Sequence, residues 1–271
     1  MIRTAIRPAA VAGKFYPREP AALTSELKTF LNPAVAPTPA IGCIAPHAGY
    51  VYSGAVAGAV YSAIDVPARC IVLCPNHTGQ GVPLSIMEHG LWETPLGAAR
   101  IDTPLALALR TRFPILAQDS AAHRSEHAIE VQLPFLETRH PGLTFVPIAI
   151  GINHYETQRA LGEAIADVLA SQPDKILIVA SSDMNHYESD SITRIKDHKA
   201  IDRILALDPR GLFDVVTRED ISMCGFGPAV AMLTAAVKLG ATSAELIRYA
   251  TSGDVSGDRD LVVGYAGIVI R

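Results

Sequence analysis

The stretch IGCIAPHAG at residues 41–49 decides the fold class, because it is a short apolar run that breaks at a proline and then delivers a histidine. The same pattern recurs in CIVLCPNHTG at 70–79, and in ILIVASSDMNHY at 176–187 a polar pair takes the place of the proline. Short β-branched runs bounded by turn residues are typical of buried parallel strands. Ligands of open α/β sheets bind outside the carboxyl ends of such strands. The histidines expected at that edge of the sheet are His47, His77 and His186.

Outward from these runs, apolar strand-like segments alternate with helical segments of about 10 to 16 residues. This alternation predicts an α/β sandwich with a largely parallel central sheet and helices on both faces. We expect the first helix at about 20–31, the first core strand at about 41–45, and a helix capped by Ser53 that uses small residues for close packing. No linker or repeat interrupts the pattern, so residues 1–271 are expected to form one domain.

The composition excludes several classes of partner. The 271 residues are 49% hydrophobic and 18% charged, which supports a large core, and the net charge of −4 gives no drive toward nucleic acid or an anionic membrane. The N-terminus lacks the apolar region of a signal peptide, and no window approaches a membrane span. Four scattered cysteines do not make a disulfide framework. We therefore expect a cytoplasmic protein without nucleic acid or membrane partners.

A nucleotide cofactor is not expected either, because the chain has neither a GxGxxG fingerprint after a strand nor a Walker A motif. Cys224 in MCGFGP precedes a predicted helix, whose N-terminus should lower the pKa of the thiol. Thiolate is the form that binds metal or attacks carbon. Asp183 stands three residues before His186 and could orient that ring for acid–base work. The structural alternatives are a small buried role for Cys224 and a helix-capping role for His47.

The segment HRSEHAIEVQLPFLETR contains the order H-x-x-E-H, found in inverzincin metalloproteases. A protease is disfavoured, since it would leave the histidines at the strand ends unexplained. We expect a helix from about residue 126 to 139, kinked or broken at Pro134. At helical spacing His127 and Glu130 share one face. We expect them to contact substrate or to support a ligand, with a surface ion-pair face as the alternative.

Eight segments together resemble the MEMO family, which occurs in prokaryotes as AmmeMemoRadiSam system protein B. The resemblance covers nearly the whole chain in order: AVAGKFYP, PHAGYVYSG, PNHTG, WETPLG, HRSEHAIEVQLPFL, SSDMNHY, MCGFGP and VGYAGIVI. It implies a fold like that of class III extradiol dioxygenases, in which two histidines and a glutamate bind Fe(II) and another histidine is the acid–base. On this chain His47 and His77 match the ligands and His186 matches the acid–base, while Cys224 falls where the carboxylate would be.

The resemblance thus implies a mononuclear site formed by His47, His77 and Cys224. A thiolate makes the donor set softer than the usual 2-His-1-carboxylate set. We expect a divalent transition metal, iron first, with copper or zinc as alternatives. His186, oriented by Asp183, would move protons. The expected pocket walls are Tyr52, Tyr187 and Trp92.

The implied function is metal-dependent redox or dioxygenase-like chemistry on an unknown small molecule, in a pathway that contains a radical SAM partner. Two alternatives stay open. The chain could be a non-enzymatic protein that binds a peptide or partner in the same pocket. It could also be a hydrolase that uses Cys224 as nucleophile with His186 as its base.

Overall fold

The computed structural model describes residues 5–271, in which twelve strands and ten helices follow one another. The strands are β1 (Ile6–Arg7), β2 (Gly42–Ala45), β3 (Arg69–Pro75), β4 (Leu84–Ile86), β5 (Leu91–Thr94), β6 (Gly97–Ile101), β7 (Ala117–Gln118), β8 (Thr144–Ile150), β9 (Leu177–Ser181), β10 (His186–Glu188), β11 (Ala244–Thr251) and β12 (Val262–Ile270). The helices are α1 (Pro20–Phe30), α2 (Tyr50–Ala63), α3 (Thr103–Arg112), α4 (Ala121–Arg124), α5 (Leu133–Arg139), α6 (Tyr155–Ala170), α7 (Asp190–Leu205), α8 (Pro209–Arg218), α9 (Phe226–Lys238) and α10 (Gly253–Ser256).

One continuous sheet runs in the order β1-β5-β6-β8-β3-β9-β2-β12-β10, with β11 beside β12 and with β4 between β8 and β7. The five central strands, from β6 to β2, are parallel to one another. β12 is antiparallel to β2, β10 and β11, and β4 and β5 are antiparallel to β8 and β6. The sheet is therefore mixed, and the predicted parallel order holds at its centre.

Successive residues of the central strands point to opposite faces, as the pleat requires. Ile71 and Leu73 of β3 face a core that also receives side chains of α3, α6, α7, α8 and α9. Cys70 and Val72 face the other core, which is covered by α1, α2, α4 and α5. Each buried aliphatic side chain contributes about 1.5–3 kcal/mol. The predicted α/β architecture with helices on both faces is thus confirmed.

The predicted first helix and first core strand match α1 and β2 within one residue. Ser53 does not cap α2, because the helix begins at Tyr50 and the Ser53 hydroxyl donates to the carbonyl of Ala48, which precedes the helix. The small residues of α2 do serve close packing. A Cβ on Gly58 would lie 2.6 Å from Phe30.

The predicted helix from 126 to 139 is wrong in its first half. Residues 125–129 form a loop, Glu130–Gln132 form a 3-10 turn, and α5 begins at Leu133 with Pro134 in its first turn. Proline is favoured there because the first amides of a helix have no intrahelical acceptor. Within residues 5–271, no helix combines the length and the apolar character that crossing a membrane requires.

Candidate metal centre

The strand order brings the site together. β3, β9 and β2 are neighbours in the parallel centre of the sheet, and His47 and His77 follow the carboxyl ends of β2 and β3 by two residues each. Ser181, the last residue of β9, lies between them. The ring centroids of His47 and His77 are 5.1 Å apart. The sequence pattern therefore correctly predicted that these two histidines meet at one sheet edge.

The ring of His47 is held in one tautomer. The hydroxyl of Ser181 donates to the carbonyl of Ala128 at 2.6 Å and accepts from Gln132 Nε2 at 2.8 Å. Because the hydroxyl already donates its only proton to Ala128, it must accept a hydrogen bond from His47 Nδ1, which lies 2.9 Å away. Nε2 of His47 therefore carries the lone pair. Burial, with the neighbouring His77, lowers the pKa of His47 well below its usual range, so the ring is neutral.

The ring of His77 is held by Glu126, a residue that is fully buried. The Glu126 carboxylate accepts from the backbone N–H of His77 at 2.6 Å, from its Nδ1 at 2.9 Å and from the N–H of Ala128 at 3.0 Å. Burial alone would lower the pKa of His77, but the bond to Glu126 and its charge outweigh burial and raise it. Nε2 of His77 is again the free nitrogen, as in many metal-binding histidines.

Cys224 precedes α9 and faces His47. Its Sγ lies 3.2 Å from His47 Nε2 and accepts from the backbone N–H of Asp183 at 3.3 Å. The predicted lowering of the thiol pKa by the helix N-terminus is wrong. Burial raises the pKa of Cys224, and the nearby carboxylate of Asp183 raises it further. Without a cation, the neutral thiol is the favoured form.

Among residues 5–271, two groups of ligand atoms are close enough to hold a metal. The first is the predicted set of His47, His77 and Cys224, whose ligand atoms lie within 4.8 Å of one another. The second consists of His77, Glu126 and His127. In that group the Glu126 carboxylate is already used by three N–H donors, so the first set fits a cation better.

His127 supports the ligands by contact. Its ring stacks on His77 at a centroid distance of 4.9 Å, meets His47 edge-on at 5.4 Å and packs against Phe15 at 4.7 Å. Burial lowers the pKa of His127. Glu130, in contrast, does not reach this group. It is fully buried, pairs with Arg7 at 2.6 Å, and accepts from the amides of Ala10 and Val11 and from Tyr16. The expectation of a ligand-supporting Glu130 is corrected, since this carboxylate anchors the N-terminal segment.

The structure does not pair Asp183 with His186. The Asp183 carboxylate accepts from the backbone N–H of His47 at 2.7 Å, whereas Nδ1 of His186 donates to the carbonyl of Ser222 at 2.9 Å. His186 begins β10, whereas Asp183 is buried in the preceding irregular segment, where it binds the backbone of His47. Burial raises the pKa of Asp183 to about 7 and lowers that of His186.

The three residues predicted to form the pocket walls differ in their exposure to solvent. Trp92 is fully buried, with Arg7 above its ring at 4.1 Å and Phe145 at its edge, so its expected place at a pocket wall is corrected to the core. Tyr187 is 74% exposed. Its backbone has a left-handed conformation with φ 61°, which is uncommon for residues other than glycine. Tyr52 is also exposed. Burial raises the pKa of Tyr265, and the carboxyl group of Asp183 raises it further.

A family model described as Memo-like protein matches residues 7–269 of the chain. The chain belongs to the Memo-like family. A MEMO1 family protein of Methanothermobacter thermautotrophicus is 41% identical over 273 residues, which cover 96% of this chain and 99% of the relative. A second, from Methanosarcina barkeri, is 43% identical over 268 residues, covering 98% of this chain and all of the relative. The predicted family is confirmed.

One solved structure has a fold similar to that of this chain. The crystal structure of an uncharacterized protein from Escherichia coli K12 superimposes with a TM-score of 0.52 at 15% sequence identity, covering 84% of this chain and 98% of that one. At this identity the likeness concerns the fold alone. The specific likeness to class III extradiol dioxygenases stays a prediction.

Proposed function

We propose that this Memo-like protein binds a single transition-metal ion through His47, His77 and Cys224 and uses it for redox or dioxygenase-like chemistry on a small molecule. The observation that carries the proposal is the convergence of three ligand atoms within 4.8 Å of one another. In both histidines Nδ1 is tied to an acceptor, so Nε2 is the atom left to bind.

The donor set fits a metal of intermediate softness. A tetrahedral ion with bonds of about 2.0–2.3 Å holds nitrogen and sulfur ligands about 3.5 Å apart, and His47 Nε2 and Cys224 Sγ are 3.2 Å apart. Imidazole and thiolate together suit iron, copper or zinc. We place iron first, as the resemblance implies, with copper or zinc as alternatives. When bound, such an ion would supply Lewis acidity and, if iron or copper, one-electron redox chemistry.

The protein groups around the donors have separate tasks. Glu126 fixes the ring of His77 and makes it a stronger donor through a buried charge. The backbone N–H of Asp183 stabilises negative charge on Cys224 Sγ. His186 serves as the base. Its Nδ1 is bound to a carbonyl, which can only accept, so its Nε2 carries the lone pair when the ring is neutral. The lowered pKa of His186 keeps that form present at neutral pH.

A hydrogen-bond network, buried at Asn185 and Asp197 and exposed at Ser222, holds His186, which Asp183 was expected to orient. Ser222 accepts the backbone N–H of His186 at 2.7 Å and donates to Asn185 Oδ1 at 3.0 Å. Asn185 is fully buried and donates its own backbone N–H to Asp197 at 2.8 Å. We assign Asn185, Ser222 and Asp197 as positioning residues for this base.

The test is metal analysis of protein purified without oxygen. We expect close to one equivalent of iron, copper or zinc per chain in the parent, and none in His47→Ala with His77→Ala. The matched control is His140→Ala with His154→Ala, which removes two histidines outside the site. Equal metal content in the parent and in the double histidine variant would contradict the ligand assignment.

A second candidate is a hydrolase with Cys224 as nucleophile, since the thiol touches an imidazole. The partner in contact is His47 rather than the predicted His186. The raised pKa of Cys224 and the lowered pKa of His47 oppose the ion pair that activates such thiols. A chelator would leave a hydrolase active and would inactivate the metal protein. Binding of a peptide or of a radical SAM partner remains a further proposal. We also propose that the protein is located in the cytoplasm, because its four cysteines are free and thiols stay reduced in that compartment.

A further inference from the structure

The strand β11 is an open edge of the sheet. It is 8 residues long, and within residues 5–271 it pairs only with β12. Ser243, which stands just before the strand, exchanges both of its backbone hydrogen bonds with Arg271. Because inward and outward groups alternate along an antiparallel strand, the backbone N–H and C=O groups of Ala244 and Leu246 point away from β12.

A bulge shifts this alternation further along β11. The register with β12 changes between Leu246 and Arg248, and Ser252, just after the strand, donates its backbone N–H to the carbonyl of Val263. Because Ser252 is bonded inward, the alternation makes the backbone groups of Tyr249 point outward. The edge therefore presents unpaired donors and acceptors at three positions, which is the arrangement that another strand can pair with.

The exposed charges on this edge are complementary to each other. The partners of Glu245 and Arg248 on β12 are two residues apart, so both side chains lie on the same face of the sheet. This is the face that α2 covers, and both charged residues line a groove of about 390 Å³ beside the strand. Glu245 binds Arg271 at 2.7 Å, whereas among residues 5–271 no carboxylate pairs with Arg248. The edge thus carries an anion and an unpaired cation on one face.

We propose that β11 pairs antiparallel with β11 of a second copy of this chain, in the register that places Glu245 opposite Arg248 of the other copy. The two-fold axis of such a dimer repeats the contact, so the same register forms the ion pair twice. It also sets Ala244 opposite Tyr249, and because both have outward backbone groups, the two strands exchange ladder bonds there. Registers centred on Glu245 or on Arg248 would bring like charges together, which destabilises a strand pair.

The groove beside β11 has room for the long side chains of the second copy. Its walls include the apolar side chains of Phe30, Val35 and Ala59. The aliphatic stem of Arg248 from the other copy packs on such walls while its guanidinium reaches Glu245. The proposal stands apart from the metal site, because none of the proposed ligands lies on β11.

Sedimentation velocity of the full chain tests the pairing. The parent should form a dimer as its concentration rises to about 100 µM, where even a modest interface is occupied. Arg248→Glu and Glu245→Arg each place like charges opposite each other, so each should weaken the dimer at least about tenfold. The double variant makes the charges opposite again and should restore the dimer. Arg100→Glu, at an exposed position of β6, is the matched control and should leave the dimer unchanged.

Amide hydrogen exchange separates strand pairing from contact between side chains alone. The backbone amides of Ala244 and Tyr249 should exchange more slowly at high protein concentration than at low, and Arg248→Glu should remove this difference. A parent that stays monomeric would overturn the proposal and leave the edge to a strand of a different protein. Single variants that dimerise as the parent does, or a dimer without protection of these amides, would equally contradict it.

Discussion

The sulfur of Cys224 lies 3.2 Å from Nε2 of His47, although 177 positions of chain separate the two residues. Burial raises the pKa of Cys224, which favours the protonated thiol, and the neutral ring of His47 offers that proton an acceptor at Nε2. A cation that binds here must displace that proton. The contact therefore couples metal binding to proton release.

This coupling predicts the pH dependence of metal affinity. Near neutral pH each bound ion should release about one proton, from Cys224, so affinity should rise about tenfold per pH unit. Below the raised pKa of His77, a second proton competes and the slope should steepen. Calorimetry in two buffers of different ionisation enthalpy counts the protons released. Affinity that does not change between pH 6 and 8 would contradict the thiol-ligand assignment.

Replacement of Glu126 tests the support of His77. Glu126→Gln removes the buried charge that orients the ring, and we expect metal affinity to fall about 10- to 100-fold, as for other carboxylates behind metal-bound histidines. Competition with a chromophoric chelator measures it. Glu137→Gln is the matched control, because Glu137 is a partly buried carboxylate on α5 that binds Thr94 instead. Equal losses in both variants would point to a general effect on folding.

Metal should protect Cys224 from iodoacetamide, and removal of the metal should expose it. Cys43, Cys70 and Cys74 should stay slow in both states, because they are fully buried whereas Cys224 is partly exposed. Mass spectrometry of peptides follows all four thiols in one sample. If Cys224 reacts at the same rate with and without metal, its sulfur is no ligand.

The ends of these strands could be predicted from the sequence, because each apolar run is followed directly by a proline or by polar residues. His47, His77 and their meeting point followed from that pattern. Glu126 was not singled out, although it stands inside the H-x-x-E-H order. Its partner, the loop of His77, is 49 residues away, and the helical spacing assumed for this segment drew attention to His127 and Glu130 and gave Glu126 no role. Only tertiary contact shows that this carboxylate is buried.

The same limit explains the errors at Asp183 and Glu130. Short spacing suggested that Asp183 orients His186, but the carboxylate turns to the backbone N–H of His47, 136 positions earlier in the chain. Glu130 was paired with His127 by helical spacing, but its partner is Arg7. Buried carboxylates take whichever donors the fold brings to them, since an unpaired buried charge is costly. Local patterns do not identify such distant donors.

The Arg7–Glu130 pair should matter for stability. Arg7 is 4% exposed and Glu130 is fully buried, so removal of one charge leaves the other unpaired in the core. Glu130→Gln should lower the free energy of unfolding by about 3–5 kcal/mol, and Arg7→Met should do the same. Urea unfolding measures both. In the double variant the loss should be smaller than the sum of the two single losses, because the second replacement removes the stranded charge. Additive losses would show that the two groups are not coupled.

Asp197 should make stability depend on pH through the network behind His186. This carboxyl is fully buried beneath Tyr249, and burial raises its pKa from 3.8 to about 6. Between pH 4 and 6 the unfolded chain has released this proton while the folded chain retains it. The contribution to stability is therefore complete below about pH 4 and is lost as pH rises through 6. Asp197→Asn carries no such proton, so its stability relative to the parent should increase between pH 4 and 7, on the order of 2–3 kcal/mol. Asp65→Asn at an exposed site controls for the loss of one carboxylate. Urea unfolding at pH 4, 5, 6 and 7 gives the difference curve, and a flat curve would show that the proton on Asp197 plays no part.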